Sequence, residues 1–345
     1  MQTSDAIAAK PSFGWAVIGP GAIAGQFAQA IAGVAGTHVA AVWGRDVERA
    51  HRFARQQGLD SGCVCARLSD MLALDTVDCV YIATSHQAHA AFAEQALRAG
   101  KPVVCEKPLT PHLRATQALL ALSHAQGLFM MEALWTRFLP VYQCVGQWLQ
   151  QGLIGPLRSV QSAFCFPAAF DARSRLFNPE LAGGALLDIG IYNVAMTRWA
   201  IQQCFPENTP ALSARHVHAS LAPTGVDMSV VGQWQFGATL DAQFVCALDR
   251  LAGDALELQG EKGAIRVPDR FWRAESAVLC RPGQADEWLH LPHRVNGFEY
   301  EIEEAMRCVR SGLLENPLMP HRESLALAAE LDALRALAGV RYPFE

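Results

Sequence analysis

Between Phe13 and about Trp135, short apolar runs alternate with longer stretches in which apolar positions recur every three to four residues. The runs at 13–18, 38–43, 79–84, 102–105 and 128–131 are nearly continuous in apolar residues, which predicts strands buried on both faces. The stretches at 22–32, 47–57, 89–99 and 114–125 predict helices, and Gly100 and Gly127 stand where a helix-ending glycine is expected. Strands alternating with helices in this way imply a parallel sheet covered on both sides.

After Pro140 the rhythm changes. A helix at 141–151 leads to a strand at 158–166, an irregular segment at 167–184 and a helix at about 185–200. Strands then dominate, at 217–221, 228–236, 239–247, 255–259 and 264–267, the last two joined by the hairpin Gly260-Glu261-Lys262-Gly263. Helices at 299–310 and 323–338 close the chain. The expected fold class is α/β. Residues 1–135 form an N-terminal Rossmann domain with a doubly wound parallel sheet. Residues 136–345 form a C-terminal α+β domain with a large, mainly antiparallel open sheet, assigned to substrate binding and oligomerisation, and the last helix is free to pack back on the first domain.

Composition narrows the function classes. The chain has 345 residues, 51% of them hydrophobic, and a formal charge of −5 with no basic block, so nucleic acid and anionic membrane surfaces are not expected partners. No stretch is long and apolar enough to span a bilayer. The first fifteen residues lack the pattern of a signal peptide, which makes the cytoplasm the expected location. Ten cysteines are present, but Cys79, Cys105, Cys144 and Cys246 stand singly in apolar runs, where a thiol acts as a small hydrophobe. Cys63 and Cys65 form a C-x-C without a second pair, and His86 and His89 have no carboxylate or cysteine to complete a site, so no metal is expected.

The first strand runs into Val17-Ile18-Gly19-Pro20-Gly21-Ala22-Ile23-Ala24, which opens the first helix. Gly19 allows the tight turn, Gly21 lets backbone approach a pyrophosphate, and Ala24 keeps helix and strand close, with the helix N-terminus facing the phosphates. In the first βαβ unit this spacing points to a dinucleotide. The second strand ends Val42-Trp43-Gly44-Arg45 and has no acidic residue to bind a ribose 2′-hydroxyl. Arg45 can pair with a 2′-phosphate, which favours NADP over NAD, while Asp46 reads either as a ribose ligand or as a helix N-cap.

Two further segments carry the chemistry: Tyr81-Ile82-Ala83-Thr84-Ser85-His86-Gln87-Ala88-His89, and Lys101-Pro102-Val103-Val104-Cys105-Glu106-Lys107-Pro108-Leu109. With Met131-Glu132-Ala133-Leu134-Trp135-Thr136-Arg137 and Gly183-Gly184-Ala185-Leu186-Leu187-Asp188-Ile189-Gly190-Ile191-Tyr192, they resemble the Gfo/Idh/MocA oxidoreductase family, in the branch of the dihydrodiol and NADP-dependent D-xylose dehydrogenases. The resemblance implies that Thr84, Ser85, His86, His89, Glu106 and Lys107 border the nicotinamide. Ala182 stands where close relatives often carry a third glycine, and Ser85-His86 replaces their common Pro-Asn.

Lys107 follows a parallel strand, at the edge where open α/β sheets bind ligands. Asp188 and Tyr192 are four apart on an expected helix and share a face. Gly190 between them weakens a helix by about 1 kcal/mol relative to alanine, which suggests that something such as the nicotinamide ring approaches there. Many relatives carry histidine where this chain has Tyr192. A tyrosine needs a nearby cation to act as a base near neutrality, and Lys107 is the candidate. The expected reaction is NADP-dependent hydride transfer to or from a sugar, polyol or trans-dihydrodiol, with Tyr192 as acid/base, Lys107 assisting and Asp188 orienting. Trp135, Arg137, Phe166 and Arg175 are further substrate-binding candidates, and Phe164 and Phe177 could add to an apolar wall. Two alternatives stand beside it: a carbonyl reductase working mainly in the reductive direction, and a non-catalytic NADP-binding regulator. A homo-oligomer, dimer or tetramer, formed through the C-terminal sheet is also expected.

Overall fold

The computed structural model describes residues 12–345, so most of the segment read as lacking a signal peptide lies outside it. The first half forms β1 (Phe13–Ile18), α1 (Ala22–Ala32), β2 (Thr37–Trp43), α2 (Val47–Gln56), α3 (Leu68–Leu72), β3 (Cys79–Ile82), α4 (His89–Arg98), β4 (Val103–Glu106), α5 (Leu113–Gln126) and β5 (Met130–Ala133). The five strands pair in parallel in the order β2-β1-β3-β4-β5. Alternate residues of β1 explain why its run is apolar throughout. Trp15 and Val17 pack with Phe27 and Ile31 of α1, whereas Ala16 and Ile18 pack with Leu97 of α4 and Leu119 of α5. The strand order reverses between β1 and β3, which opens a crevice at their C-terminal ends.

The second half continues through α6 (Pro140–Gln150), β6 (Leu157–Cys165) and a π-helical turn (Leu186–Gly190) into α7 (Ile191–Cys204). There follow β7 (Leu212–Leu221), β8 (Asp227–Phe236), β9 (Leu240–Ala247), β10 (Leu256–Gly260), β11 (Ala264–Val267), β12 (Ser276–Cys280) and β13 (Glu287–His290), then α8 (Phe298–Arg310) and α9 (His321–Leu337). The eight strands run β13-β12-β11-β10-β6-β9-β8-β7, antiparallel except where β6 meets β9. α8 packs on α1, and α9 packs on both α5 and α7. One apolar core therefore runs from Trp15 and Phe27 through Phe298, Trp135 and Phe138 to Tyr192 and Phe244 under the second sheet.

Several elements differ from the sequence reading, and the short helix α3 is an addition to it. The expected helix at 185–200 is broken by the π-helical turn, β7 begins at Leu212 instead of 217, and β12 and β13 were not anticipated. The interior of the π turn is fixed by packing. A Cβ on Gly190 would lie 2.9 Å from the Cys246 sulfur and 3.0 Å from Leu186 Cδ1. The glycine thus lets the turn sit on β9, a packing reason for glycine at this position.

Candidate active site

A cleft of about 1080 Å³ begins at the glycine loop and ends at Tyr192. Gly19 has φ +90°, and a Cβ there would meet the Ala83 carbonyl oxygen at 2.7 Å, so only glycine permits this close approach of the turn after β1 to the one after β3. Gly21 is the N-cap of α1 and offers no capping side chain, and the first turn carries no acidic residue, which leaves its N–H groups open to an anion. Ala22 and Ile23 line the cleft beside it, while Ala24 is buried behind them in the core.

At the outer end Gly44 and Arg45 line the mouth, and Arg45 is exposed. Asp46 caps α2, accepting from the Arg49 backbone N–H at 3.0 Å, which is the N-cap role of the two left open for it. Sequence reading missed Arg49. It lines the same mouth four residues after Arg45, and its Nε donates to the Pro20 carbonyl oxygen at 3.1 Å. A second arginine in the first turn of α2, four residues past Arg45, was the available signal.

Thr84, Ser85, His86 and His89 form the wall above β3. His89 is wholly buried, with Nδ1 2.9 Å from the Pro108 carbonyl oxygen and Nε2 3.2 Å from that of Thr84. It ties the loop after β3 to the loop after β4. His86 lies 3.0 Å from the Ala182 carbonyl oxygen through Nδ1, and burial pushes its pKa down to about 3. The neutral ring donates from Nδ1, which leaves Nε2 as an acceptor 3.9 Å from Asp188 Oδ1. Ala182 itself adopts a left-handed conformation with φ 54°, the geometry glycine favours.

At the inner end Glu106 is buried at the tip of β4. It accepts from the Tyr81 hydroxyl at 2.6 Å and from the Lys107 backbone N–H at 3.2 Å. Burial raises its pKa against the pull of Lys107. The Lys107 ammonium donates to the Asp188 backbone carbonyl and lies 3.5 Å from Asp188 Oδ1, and it sits 4.9 Å above the centre of the Tyr192 ring. Arg175 donates to the same Oδ1 at 2.8 Å. Burial works against ionisation of Asp188, but the charges of Lys107 and Arg175 outweigh it and hold the carboxyl well below the usual range.

Tyr192 is 7% exposed and its oxygen accepts from Trp135 Nε1 at 3.1 Å. The cation expected beside its hydroxyl stands over its ring instead. Burial first, then the Glu106 carboxylate, raise its pKa well above the usual tyrosine value, so the phenol keeps its proton. Among the substrate candidates, Arg175 lies in the cleft, and Trp135 lies behind Tyr192. Phe166 stands one ring further out, 6.3 Å from Phe164, which is 5.9 Å from Tyr192 and stacked on Trp272. Phe177 is fully buried against Phe170. Arg137 is not in the cleft. It is buried elsewhere, donating to the Leu318 carbonyl at 3.2 Å and to Glu323 at 3.3 Å. Among the described residues no group of three or more His, Cys, Asp and Glu could hold a metal ion, and no helix is long and apolar enough to cross a membrane.

Residues 13–133 match the Gfo/Idh/MocA model described as an oxidoreductase family with an NAD-binding Rossmann fold, and residues 142–266 match the Gfo/Idh/MocA C-terminal domain. The trans-1,2-dihydrobenzene-1,2-diol dehydrogenase of Oryctolagus cuniculus is 31% identical over 335 residues, covering 95% of this chain and 99% of that protein. A 3-ketoreductase from Actinomadura kijaniata, solved with NADP and TDP-benzene, superposes with a TM-score of 0.81 at 26% identity, covering 94% of this chain and 97% of that one. The aldose-aldose oxidoreductase of Caulobacter crescentus shares the fold, with a TM-score of 0.83 at 22% identity over 95% of this chain and 98% of that one. With a glycine-loop cleft ending in a buried tyrosine, lysine and aspartate, and both halves matched, the chain belongs to the Gfo/Idh/MocA family of oxidoreductases.

Proposed function

We propose that the chain transfers hydride between NADP and a hydroxyl-bearing carbon of a small cyclic diol, polyol or sugar, with Tyr192 as acid/base. The observation that carries this reading is the gathering of the Tyr192 phenol, Lys107 and Asp188 at the inner end of a cleft that starts at the glycine loop. The cleft fits a dinucleotide: the open N–H groups of α1 suit the pyrophosphate, and Arg45 with Arg49 suits a 2′-phosphate where NAD sites carry an acidic residue. A bound nicotinamide supplies the hydride acceptor or donor.

The protein's own part is proton transfer and positioning. Tyr192, held protonated, gives its proton to a substrate oxygen during reduction and takes it back during oxidation. Lys107 spends two of its three N–H donors on Asp188 and keeps one for the substrate oxygen. Asp188 balances Lys107 and Arg175 and holds both beside the phenol. Phe164, buried and stacked on Trp272, backs Tyr192 with an apolar layer. The dihydrodiol dehydrogenase among the relatives supports a cyclic diol.

The test follows the near-UV absorbance of reduced nicotinamide. NADP and NAD are each offered with D-xylose, other pentoses and hexoses, and trans-1,2-dihydrobenzene-1,2-diol, and NADPH is offered with dicarbonyls. Turnover with NADP is expected, reduced by roughly 10²–10⁴-fold in Tyr192→Phe. Flat traces in both directions despite tight NADP binding would mark a non-catalytic regulator.

The same reading includes a homo-oligomer. On the face of the second sheet away from α7, Val231 and Val245 stand half-buried beside the exposed Gln233 and Gln243, and that face suits a second copy. Sedimentation as a monomer at micromolar concentration counts against it.

A further inference from the structure

Trp135 lies immediately after β5, and its indole is held on two sides. One face stacks on Phe298, with ring centres 4.5 Å apart and planes 16° apart. The indole edge rests on Gly297, where φ is +103° and a Cβ would come within 2.7 Å of Trp135 Cζ3. Gly297 is therefore constrained twice, by its backbone conformation and by the ring it supports. The turn that carries it is fixed by the Glu299 carboxylate, which accepts from the backbone N–H groups of Val295, Asn296 and Gly297 at 3.0, 3.2 and 2.7 Å. Asn296 Nδ2 ties the turn to the Gln26 carbonyl of α1 at 2.9 Å. So held, the indole N–H reaches the Tyr192 oxygen at 3.1 Å.

We infer that Trp135 is a positioning residue that directs the Tyr192 proton into the cleft and stabilises the phenolate. This rests on the reading of Tyr192 as acid/base. An indole N–H donates and cannot accept, so it occupies one lone pair of the phenol oxygen and turns the hydroxyl hydrogen away from itself. A donor bonded to the oxygen favours the charged form of the phenol, opposing burial. The other groups facing Tyr192 are Lys107 and Glu106 from the end of β4, Asp188 from its own turn, Arg175 from the irregular segment, Tyr81 from β3 and Glu301 from α8. Trp135 makes the direct hydrogen bond to the phenol oxygen.

The experiment compares wild type, Trp135→Phe and Tyr192→Phe. Phenylalanine keeps a ring to stack on Phe298 and removes the donor, together with the indole edge that rests on Gly297. Oxidation of the best diol or sugar from the panel above is followed against pH. Because Tyr192 holds its proton across the working range, wild-type kcat for oxidation is expected to climb with pH as the small phenolate fraction grows. In Trp135→Phe that limb is expected to lie about tenfold lower at each pH, equivalent to a shift of about one pH unit, with KM changed less than about twofold. A purely structural role would leave the limb in place. In parallel, ¹⁵N-resolved indole N–H resonances are recorded with NADP bound, the Trp135 signal being the one lost in Trp135→Phe. That signal is expected to move upfield and exchange faster in Tyr192→Phe. An unmoved indole signal, or a Trp135→Phe pH profile that superposes on wild type, overturns the inference. Full activity in Tyr192→Phe overturns the acid/base reading instead.

Discussion

Lys107 and Asp188, 81 residues apart in sequence, meet through two contacts from one ammonium, to the aspartate's backbone carbonyl and to its Oδ1 at 3.5 Å. The first contact ties the end of β4 to the π-helical turn, and the second pairs charges whose side chains are 12% and 8% exposed. The proposed mechanism puts the lysine at the reacting oxygen and the phosphates at the glycine-loop end of the cleft, so Lys107→Met is expected to lose roughly 10²–10⁴-fold in kcat while NADP binding stays within a few fold. Steady-state kinetics with a parallel nucleotide titration measures both, and near-wild-type kcat would show that the lysine is structural.

Asp188→Asn leaves Lys107 and Arg175 without their anion, and removing one partner of a buried pair costs on the order of 3 kcal/mol. Because the native carboxyl is held below its unfolded pKa, its stabilisation is present above about pH 4 and fades as pH falls below that. Chemical denaturation of both proteins should show a stability gap that is constant from pH 5 to 7 and narrows in acid. A gap independent of pH would mean that the carboxylate's charge does not stabilise the fold.

Much of this site was legible because its signals are local. The glycine loop, the Glu106-Lys107 pair and the Asp188 to Tyr192 spacing each sit within a few residues. Periodicity placed them at strand ends or on one helical face. What escaped has no local signature. Phe298 and Gly297 reach Trp135 from more than 160 residues away, and nothing in their own neighbourhood says so. The π-helical turn arises because Leu186 N–H is bound by Asp227 of β8 and Gly190 lies on Cys246 of β9, contacts made only after the sheet has formed. β13 carries an exposed Trp288 at a sheet edge, so it shows no buried face to read. Arg137 was misplaced for a related reason. Its motif neighbours Trp135, but a 3₁₀ turn sends the two side chains in different directions.

Gly190→Ala separates two explanations of that glycine. If packing on Cys246 requires it, the added methyl costs about 1–3 kcal/mol, and Gly190→Ala/Cys246→Ala recovers most of the loss. Thermal unfolding of the single and double variants gives the answer. Unchanged stability together with weakened NADP binding would instead place the ring of the cofactor against Gly190.

Arg45→Ala and Arg49→Ala should each weaken NADPH binding by roughly 10-fold or more and leave NADH nearly unchanged, since a charge-assisted bond to phosphate is worth about 1.5–3 kcal/mol. Arg49→Ala also frees the Pro20 carbonyl of the glycine loop, so its effect on NADH should be the larger of the two. Fluorescence titration of NADPH and NADH decides it. Equal losses for both nucleotides would point to a loop defect without a phosphate site.

Asp227 is fully buried, accepts from the Leu186 N–H at 2.5 Å, and has its pKa raised to about 6 by burial. A carboxyl that holds its proton longer in the native than in the unfolded chain contributes stability below the unfolded pKa of about 4, and loses it as pH rises towards the folded value. Asp227→Asn keeps an oxygen for the Leu186 N–H and removes the titration. Relative to this variant, wild type should lose on the order of 2–3 kcal/mol between pH 4 and pH 6 and nothing further above it. Urea denaturation at half-unit pH steps measures the difference. A wild type that gained on Asp227→Asn over that interval would mean that the buried carboxylate is ionised and paired, and that the π-helical turn carrying Asp188 is anchored by charge instead of by a neutral acid.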